Sequence, residues 1–201
     1  MLRLYDSPMS PRARKVRIVL AEKGLQYEKV TVDITKGEQK NPEFLTVNPY
    51  GKVPALQDDG LAVYESTIIL EYLNDKYPNP PLLPVDPGQR AHARVLMHYA
   101  DNPYDSAFAF LVGEVFFKPK GKADQNVIAK AKQELNVCFE RLERELGGND
   151  YLLGVFTLAD IGYVAWAPLF GPLQVEVPDH CPRVNVWLNR LKDHPSVQAA
   201  G

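Results

Sequence analysis

The sequence predicts an α/β domain followed by an all-helical domain. Three observations lead to this fold class: strand-like and helix-like segments alternate through the first 77 residues, five prolines lie within residues 77–87, and helical periodicity follows them. Because so many prolines interrupt any regular element, we expect a linker at residues 78–87. The predicted domains are residues 1–77 and residues 88–201.

The first domain is predicted to have the element order βαβ-ββα. Its strands are residues 2–5, 29–34, 54–57 and 61–64, and its helices are residues 11–23 and 67–77. Valine and isoleucine alternate with polar residues through the second strand, and a strand–helix–strand unit places that strand parallel to the first. The sequence Asp58-Asp59-Gly60 is typical of a turn, which makes the last two strands a hairpin.

The second domain is predicted to be helical throughout. Its clearest helices are residues 89–117, 124–146 and 182–192, and a further buried helix begins near residue 158. Asn102-Pro103 interrupts the first of these helices and predicts a kink or a break. Asp160 follows Thr157 by three residues ahead of an apolar run, which is close to the capping-box pattern at the start of a helix.

Composition argues against several classes of protein. Lys and Arg number 23 against 25 Asp and Glu, so the formal charge of -2 lacks the basic excess that nucleic-acid or anionic-membrane binding requires. No apolar run approaches membrane-spanning length, and periodic sequence that begins at Leu2 leaves no room for a signal peptide. Cys138 and Cys181 form neither a CxxC motif nor a metal-type cluster with the four histidines. We therefore expect a cytosolic, metal-free protein that binds neither nucleic acid nor membranes.

Residues 48–56 and 64–67 carry the strongest functional signal. Pro54 follows the β-branched Val53 at the start of a predicted strand, where proline cannot donate a ladder hydrogen bond. If the peptide between them is cis, the chain turns sharply and presents the Val53 N–H and C=O to a ligand. Glu65 and Ser66 follow the next strand, at a helix start whose free N–H groups attract anions. Either segment alone also fits a loop, a hairpin and a capped helix, but together they predict a site for a small, extended, peptide-like anion.

Four stretches of the chain resemble the glutathione S-transferase superfamily. They are residues 7–17, residues 48–56 with Glu65-Ser66, residues 157–161, and residues 194–197. The resemblance spans nearly the whole chain, and its first motif is similar to the serine-type motif of the theta- and zeta-like classes. It implies a thioredoxin-like N-terminal domain, an all-helical C-terminal domain, glutathione as co-substrate and a homodimer. It also implies an enzyme that activates the glutathione thiol for attack on a small apolar electrophile or a peroxide.

Ser10 is the candidate catalytic residue. It precedes Pro11, which favours the first helical position, so Ser10 is the expected N-cap, and the resemblance places the catalytic serine at the same position. A thiol with a pKa of ~8.5 is mostly protonated at neutral pH, and lowering that pKa by about two requires roughly 2.7 kcal/mol. A helix N-terminus (~0.3–2 kcal/mol) and one hydrogen bond to the thiolate (roughly 1.5–3 kcal/mol) can supply this. Ser7 and Tyr5 are alternatives, and a serine at this position can also be only a cap.

The resemblance also implies roles for residues that would bind the substrates. Glu65 and Ser66 would hold the γ-glutamyl end of glutathione, Val53 with Pro54 the cysteinyl unit, Gln39 and Lys52 the glycyl carboxylate, and Tyr104 and Phe108 an apolar electrophile. Gln39 and Lys52 are equally compatible with ordinary solvent-facing side chains. Aromatic residues at the spacing of Tyr104 and Phe108 are also common in helical cores.

Two other functions are compatible with the same motifs. One is a non-catalytic interaction protein on the same scaffold, like the stringent-starvation regulators that bind RNA polymerase. The other is a dehalogenase or thiol-lyase that uses the same thiolate on a different substrate. The presence of Val53, Pro54, Glu65 and Ser66 favours an enzyme, because the non-catalytic members tend to lose such residues.

Overall fold

The computed structural model describes residues 1–201 and divides into two units. The first unit is Met1–Leu82 with Pro195–Gly201, and the second is Leu83–His194. The change from one unit to the other lies within the predicted linker. The last seven residues, which the sequence analysis placed with the helical domain, pack instead with the first unit.

A four-stranded mixed sheet organises the first unit, in the order β2-β1-β3-β4. The strands are β1 (Leu2–Asp6), β2 (Glu28–Thr31), β3 (Ala55–Asp58) and β4 (Leu61–Tyr64), and the helices are α1 (Pro11–Glu22), α2 (Pro42–Val47) and α3 (Ser66–Lys76). β1 pairs with β2 in parallel and with β3 antiparallel, and β3 pairs antiparallel with β4. This confirms the predicted βαβ-ββα order and the predicted hairpin.

β2 is shorter than predicted. It ends at Thr31, although the alternation of residues continues to Ile34. The cause is local: the Asp33 carboxylate accepts hydrogen bonds from the backbone N–H of Thr35 at 3.0 Å and from its hydroxyl at 2.6 Å. Such an Asx turn bends the chain away from the sheet before the alternation ends.

Asp58, the last residue of β3, stabilises the turn end of the β3–β4 hairpin. The side chain is buried, and its Oδ2 accepts hydrogen bonds from the hydroxyls of Tyr72 and Tyr77, each at 2.9 Å, and lies 2.6 Å from Lys76 Nζ. Burial alone would raise the pKa of Asp58, but the bonds from Lys76, Tyr72 and Tyr77 outweigh it and hold that pKa below its usual value. The ionised carboxylate is therefore part of the folded state.

We expect Asp58→Asn to lower the free energy of unfolding at pH 7 by about 1–3 kcal/mol, because it leaves partly buried donors without a charged acceptor. A depressed pKa in the folded state adds stability above the unfolded value of ~3.9, and this stability is lost as the pH falls through the folded value. The difference between wild type and variant should thus shrink as the pH is lowered below about 4. Urea unfolding at pH 7 and at pH 3.5, monitored by circular dichroism, measures this difference in the free energy of unfolding. A difference that stays constant between the two pH values would contradict this account.

The second unit is helical. Its helices are α4 (Pro87–Tyr99), α5 (Asp105–Val112), α6 (Gln125–Leu146), α7 (Leu158–Val164), α8 (Phe170–Leu173) and α9 (Pro182–Asp193). Asn102 leaves the helical conformation (φ -156°, ψ 112°) and separates α4 from α5, as the Asn102-Pro103 sequence predicted. None of the helices combines the length and the apolar character needed to cross a membrane.

α7 is buried along its whole length, and the predicted capping box begins it. The Asp160 carboxylate accepts from the Thr157 N–H (2.9 Å) and hydroxyl (3.1 Å), and also from the Leu152 N–H (3.1 Å) and Trp187 Nε1 (2.9 Å). Asp160 therefore ties the preceding loop and helix α9 to the start of α7. Burial raises its pKa above the usual value, although these four donors partly offset the effect.

The last helix, α10 (Pro195–Ala199), belongs to the first unit and packs on α1. Val197 and Ala200 are buried there. This placement could not be predicted, because nothing in the sequence of a five-residue helix shows which domain it will join.

Candidate active site

The structure brings the predicted site segments of the first unit to one end of the sheet. Ala55, the first residue of β3, pairs with Tyr5 near the end of β1 and with Tyr64 at the end of β4. The segments that precede β3 and follow β1 and β4 therefore emerge together. These segments contain Val53-Pro54, Ser7–Ser10 and Glu65-Ser66.

Ser10 is the N-cap of α1, with extended backbone angles (φ -89°, ψ 113°). Its Oγ accepts a hydrogen bond from the Ala13 N–H at 3.2 Å, and its own N–H donates to the Ser7 carbonyl at 2.9 Å. Since the hydroxyl acts as the acceptor in the capping bond, its proton is available to a second partner. Ser10 can therefore cap the helix and still donate to an anion.

The two alternative hydroxyls are less well suited to that role. The Tyr5 hydroxyl donates to Gln57 Oε1 at 2.9 Å, and its ring packs edge-to-face on Phe44. Tyr5 thus belongs to the β1–β3 packing, which already uses its proton. Ser7 is 3% exposed, against 9% for Ser10.

The loop that precedes β3 is built around Asn48. Its Nδ2 donates to the Lys52 carbonyl at 2.6 Å, and its Oδ1 accepts from the Tyr50 N–H at 3.0 Å. The Val53–Pro54 peptide is cis. Because β3 begins to pair only at Ala55, the peptide groups of Val53 lie outside the sheet ladder.

Gly51 allows this loop to pack closely against residues 39–40. Its φ is +59°, and a Cβ added there would lie 2.8 Å from the Gln39 carbonyl oxygen and 2.9 Å from Lys40 Nζ. The close approach brings Gln39 and Lys40 beside the loop that carries Lys52. The Gln39 Oε1 is buried without a hydrogen-bond partner, as in a site that a ligand completes. Lys40 was missed by the sequence analysis, where its position next to Gln39 was the available signal.

Glu65 has a backbone conformation that is rare for a residue with a side chain (φ 69°, ψ 116°). It is the N-cap of α3 and makes no side-chain capping bond. The Glu65 side chain is exposed, and Ser66 is the first helical residue. Strained residues of this kind cluster at ligand sites, which makes the start of α3 a good anion site beside a carboxylate.

Tyr104 and Phe108 do not form a wall for an electrophile, and this expectation is corrected here. Both side chains are 0% exposed. Their rings pack edge-to-face on each other, and Phe108 stacks on Trp166 with ring centroids 5.0 Å apart. They belong to the aromatic core of the second unit, because helical periodicity marks an apolar face without showing what that face contacts.

Comparison with known families supports the assignment that these motifs suggest. Residues 1–75 match the family model described as glutathione S-transferase, N-terminal domain, and residues 97–195 match glutathione S-transferase, C-terminal domain. Glutathione S-transferase 3 of Zea mays is 33% identical over 98% of this chain and 91% of its own length.

Solved structures agree. The theta class glutathione S-transferase from Xanthomonas axonopodis pv. citri, with glutathione bound, superposes with a TM-score of 0.90 at 28% identity and covers 99% of this chain and 96% of its own. The beta-etherase LigF from Sphingobium sp. strain SYK-6 gives a TM-score of 0.85 at 30% identity over 99% of this chain and 98% of its own. The fold and the motifs agree with these matches over nearly the full length, and the chain therefore belongs to the glutathione S-transferase family.

Proposed function

We propose that the protein binds glutathione at this end of the sheet, activates its thiol with Ser10, and transfers the sulfur to a small apolar electrophile or a peroxide. The observation that carries this proposal is the register of the sheet. It brings an N-cap hydroxyl, the peptide of Val53 outside the ladder, and the start of α3 beside Glu65 to one end.

The proposed binding mode follows from the chemistry of the tripeptide. The Glu65 carboxylate pairs with the γ-glutamyl ammonium, while the Ser66 hydroxyl and the N–H groups at the start of α3 donate hydrogen bonds to the γ-glutamyl carboxylate. The peptide groups of Val53 bond to the cysteinyl unit. This arrangement directs the sulfur toward the start of α1.

In the proposed mode, the glycyl carboxylate of glutathione binds to the residues around Gly51. Lys40 and Lys52 supply positive charge, and the side-chain amide of Gln39 can donate from its Nε2. A carboxylate bound there would receive hydrogen bonds from these donors.

In the proposed reaction, the Ser10 hydroxyl donates a hydrogen bond to the sulfur, and the positive end of α1 stabilises the same charge. The thiol proton leaves to solvent. The thiolate then forms a carbon–sulfur bond while the leaving group departs with its electron pair. With a peroxide, the thiolate attacks oxygen, and a second glutathione completes reduction to an alcohol and water with formation of a disulfide.

A second candidate function is cleavage of an ether by the same thiolate. It is favoured by the similarity to the beta-etherase LigF, which matches this chain as well as several transferases do. A panel with an aryl halide, an organic peroxide and an aryl alkyl ether separates these activities.

The test of the proposed function is glutathione binding together with the ionisation of the bound thiol. Isothermal titration calorimetry measures the Kd, and the ultraviolet absorbance of the thiolate against pH gives the thiol pKa. We expect binding, and a thiol pKa well below ~8.5. Absence of binding would contradict the proposal and would favour a docking protein on the same scaffold.

We expect Glu65→Ala to weaken glutathione binding by roughly 10–100-fold, because a charge-assisted bond worth about 1.5–3 kcal/mol is lost. The thiol pKa should change little, since Glu65 contacts the opposite end of the tripeptide. Asp75→Ala is the matched control, because Asp75 is an exposed carboxylate of the same helix but lies in its last turns. Equal affinity of the two variants would remove Glu65 from the binding site.

The family resemblance also leads us to propose a homodimer. Sedimentation analysis distinguishes it from a monomer of 22.6 kDa.

A further inference from the structure

A buried ion pair links the last residue of β1 to helix α1. Asp6, the last residue of β1, is 0% exposed, and its Oδ1 accepts a hydrogen bond from Arg17 Nη1 at 2.6 Å. Lys29 Nζ lies 3.0 Å from the other oxygen, in an ion pair without hydrogen-bond geometry. The attraction within a buried pair often does no more than offset the cost of removing both charges from water. Stability alone therefore does not account for the pair.

The position of the pair relates it to Ser10. The chain between Asp6 and α1 is the short segment Ser7–Ser10. Arg17 lies seven residues, or about two turns, beyond Ser10, so both face the same side of α1. A rotation or slide of α1 against β1 would break the Asp6–Arg17 bond and displace the Ser10 hydroxyl together.

The other edge of the Arg17 guanidinium is held by Ala200, within residues 195–201. Arg17 Nε donates to the Ala200 carbonyl at 2.8 Å. Arg14, one turn earlier, donates to the carbonyls of Gly201 (2.9 Å) and Val197 (3.3 Å). Val197 lies in the last turn of α10, and Ala200 and Gly201 follow the helix. Because the last carbonyls of a helix have no partner within it, these acceptors cost α10 none of its own bonds. Because a guanidinium is planar, contacts at Nε and Nη1 fix its orientation.

We propose that Asp6 and Arg17 are positioning residues for Ser10, and that residues 195–201 hold Arg17 in the orientation this role requires. The inference rests on the proposed function, since it concerns the hydroxyl that activates the thiol. The pair sets the depth and rotation of α1 relative to β1. That setting decides whether the Ser10 hydroxyl reaches the sulfur of a tripeptide bound by Val53 and Glu65.

The test uses Arg17→Lys and Asp6→Asn in the full chain. Lysine keeps the charge but cannot bond to Asp6 and Ala200 with a rigid fork, and asparagine keeps the shape of Asp6 without its charge. We expect kcat to fall by roughly 10–100-fold, as for a misplacement of about 1 Å. The pKa of the bound thiol should rise by roughly 1, which is a tenfold change in ionisation. The Kd for glutathione should change less than about threefold, because the binding residues lie on other elements.

Arg3→Lys is the matched control. It alters an exposed ion pair between β1 and β2, in which Arg3 Nε lies 2.9 Å from Glu28 Oε2, without touching Asp6. We expect it to leave kcat and the thiol pKa unchanged.

The outcomes separate this inference from the proposed function. If the wild type does not lower the thiol pKa, the proposed function fails and this inference fails with it. If the wild type lowers it and Ser10→Ala abolishes the effect, while Arg17→Lys and Asp6→Asn keep the wild-type thiol pKa, only the positioning role is overturned. Unfolding of both variants would overturn it as well, since the pair would then be a requirement of the fold.

Discussion

Ser10→Ala should raise the pKa of the thiol of bound glutathione by roughly 1–2, because a hydrogen bond to an anion worth about 1.5–3 kcal/mol is lost. At pH 6.5 the thiolate fraction then falls, and kcat falls with it by roughly 10–100-fold. The Kd for glutathione should change much less, since in the proposed binding mode Ser10 contacts only the sulfur. Ultraviolet difference spectra against pH give the thiol pKa, and steady-state kinetics with an aryl halide give kcat.

Two controls make the result specific. Ser10 also caps α1, so Ser10→Ala should cost about 1 kcal/mol of stability, and the spectra must be recorded where the variant is folded. Ser7→Ala removes the neighbouring hydroxyl without removing the cap. A raised thiol pKa in Ser7→Ala alone would transfer the catalytic role to Ser7. Wild-type values in both variants would make Ser10 a cap only.

Asp160→Ala should lower the free energy of unfolding of the second unit by about 4 kcal/mol or more. It removes the acceptor of four hydrogen bonds in a fully buried setting, and each unsatisfied donor costs about 1–3 kcal/mol. Both tryptophans of the chain, Trp166 and Trp187, lie in this unit, so tryptophan fluorescence during urea unfolding reports it selectively.

The matched control for Asp160→Ala is Asp124→Ala. Asp124 also caps a helix, accepting at 2.9 Å from Asn126 and at 3.4 Å from Val127, but it is exposed. Its loss should cost about 1 kcal/mol, as for an ordinary N-cap. Coincident unfolding curves for the two variants would show that the burial and the extra bonds of Asp160 add nothing.

Most of the fold could be predicted from local signals. Periodicity of two and of 3.6 residues located the strands and helices, and the Asp58-Asp59-Gly60 turn and the Thr157–Asp160 capping box marked their junctions. These signals act over a few residues, so they are present in the sequence itself. β2 was predicted too long because the side chain of Asp33 ends the strand, while the alternation of apolar residues continues.

Site residues that belong to a sequence motif could be predicted. Residues whose placement depends on tertiary packing could be predicted less well. Ser10, Val53, Glu65 and Ser66 belong to sequence motifs, and all of them lie at one end of the sheet. Lys40 lies close to the loop at this site because Gly51 has no side chain that would keep it away. No short-range sequence pattern reveals this close approach. For Tyr104 and Phe108, the outcome depended on which neighbours cover an apolar helix face, and only the tertiary structure contains that information.

The placement of residues 195–201 also bears on the order in which the protein folds during synthesis. These residues are translated after the whole helical unit, yet they pack on α1, which is translated before it. While the ribosome is still making the helical unit, Arg14 and Arg17 have no carbonyls to bind, and one side of α1 stays open to water or to a chaperone. The first unit is thus begun before the helical unit and completed after it, and a variant whose residues 195–201 cannot pack on α1 would remain in that unfinished state.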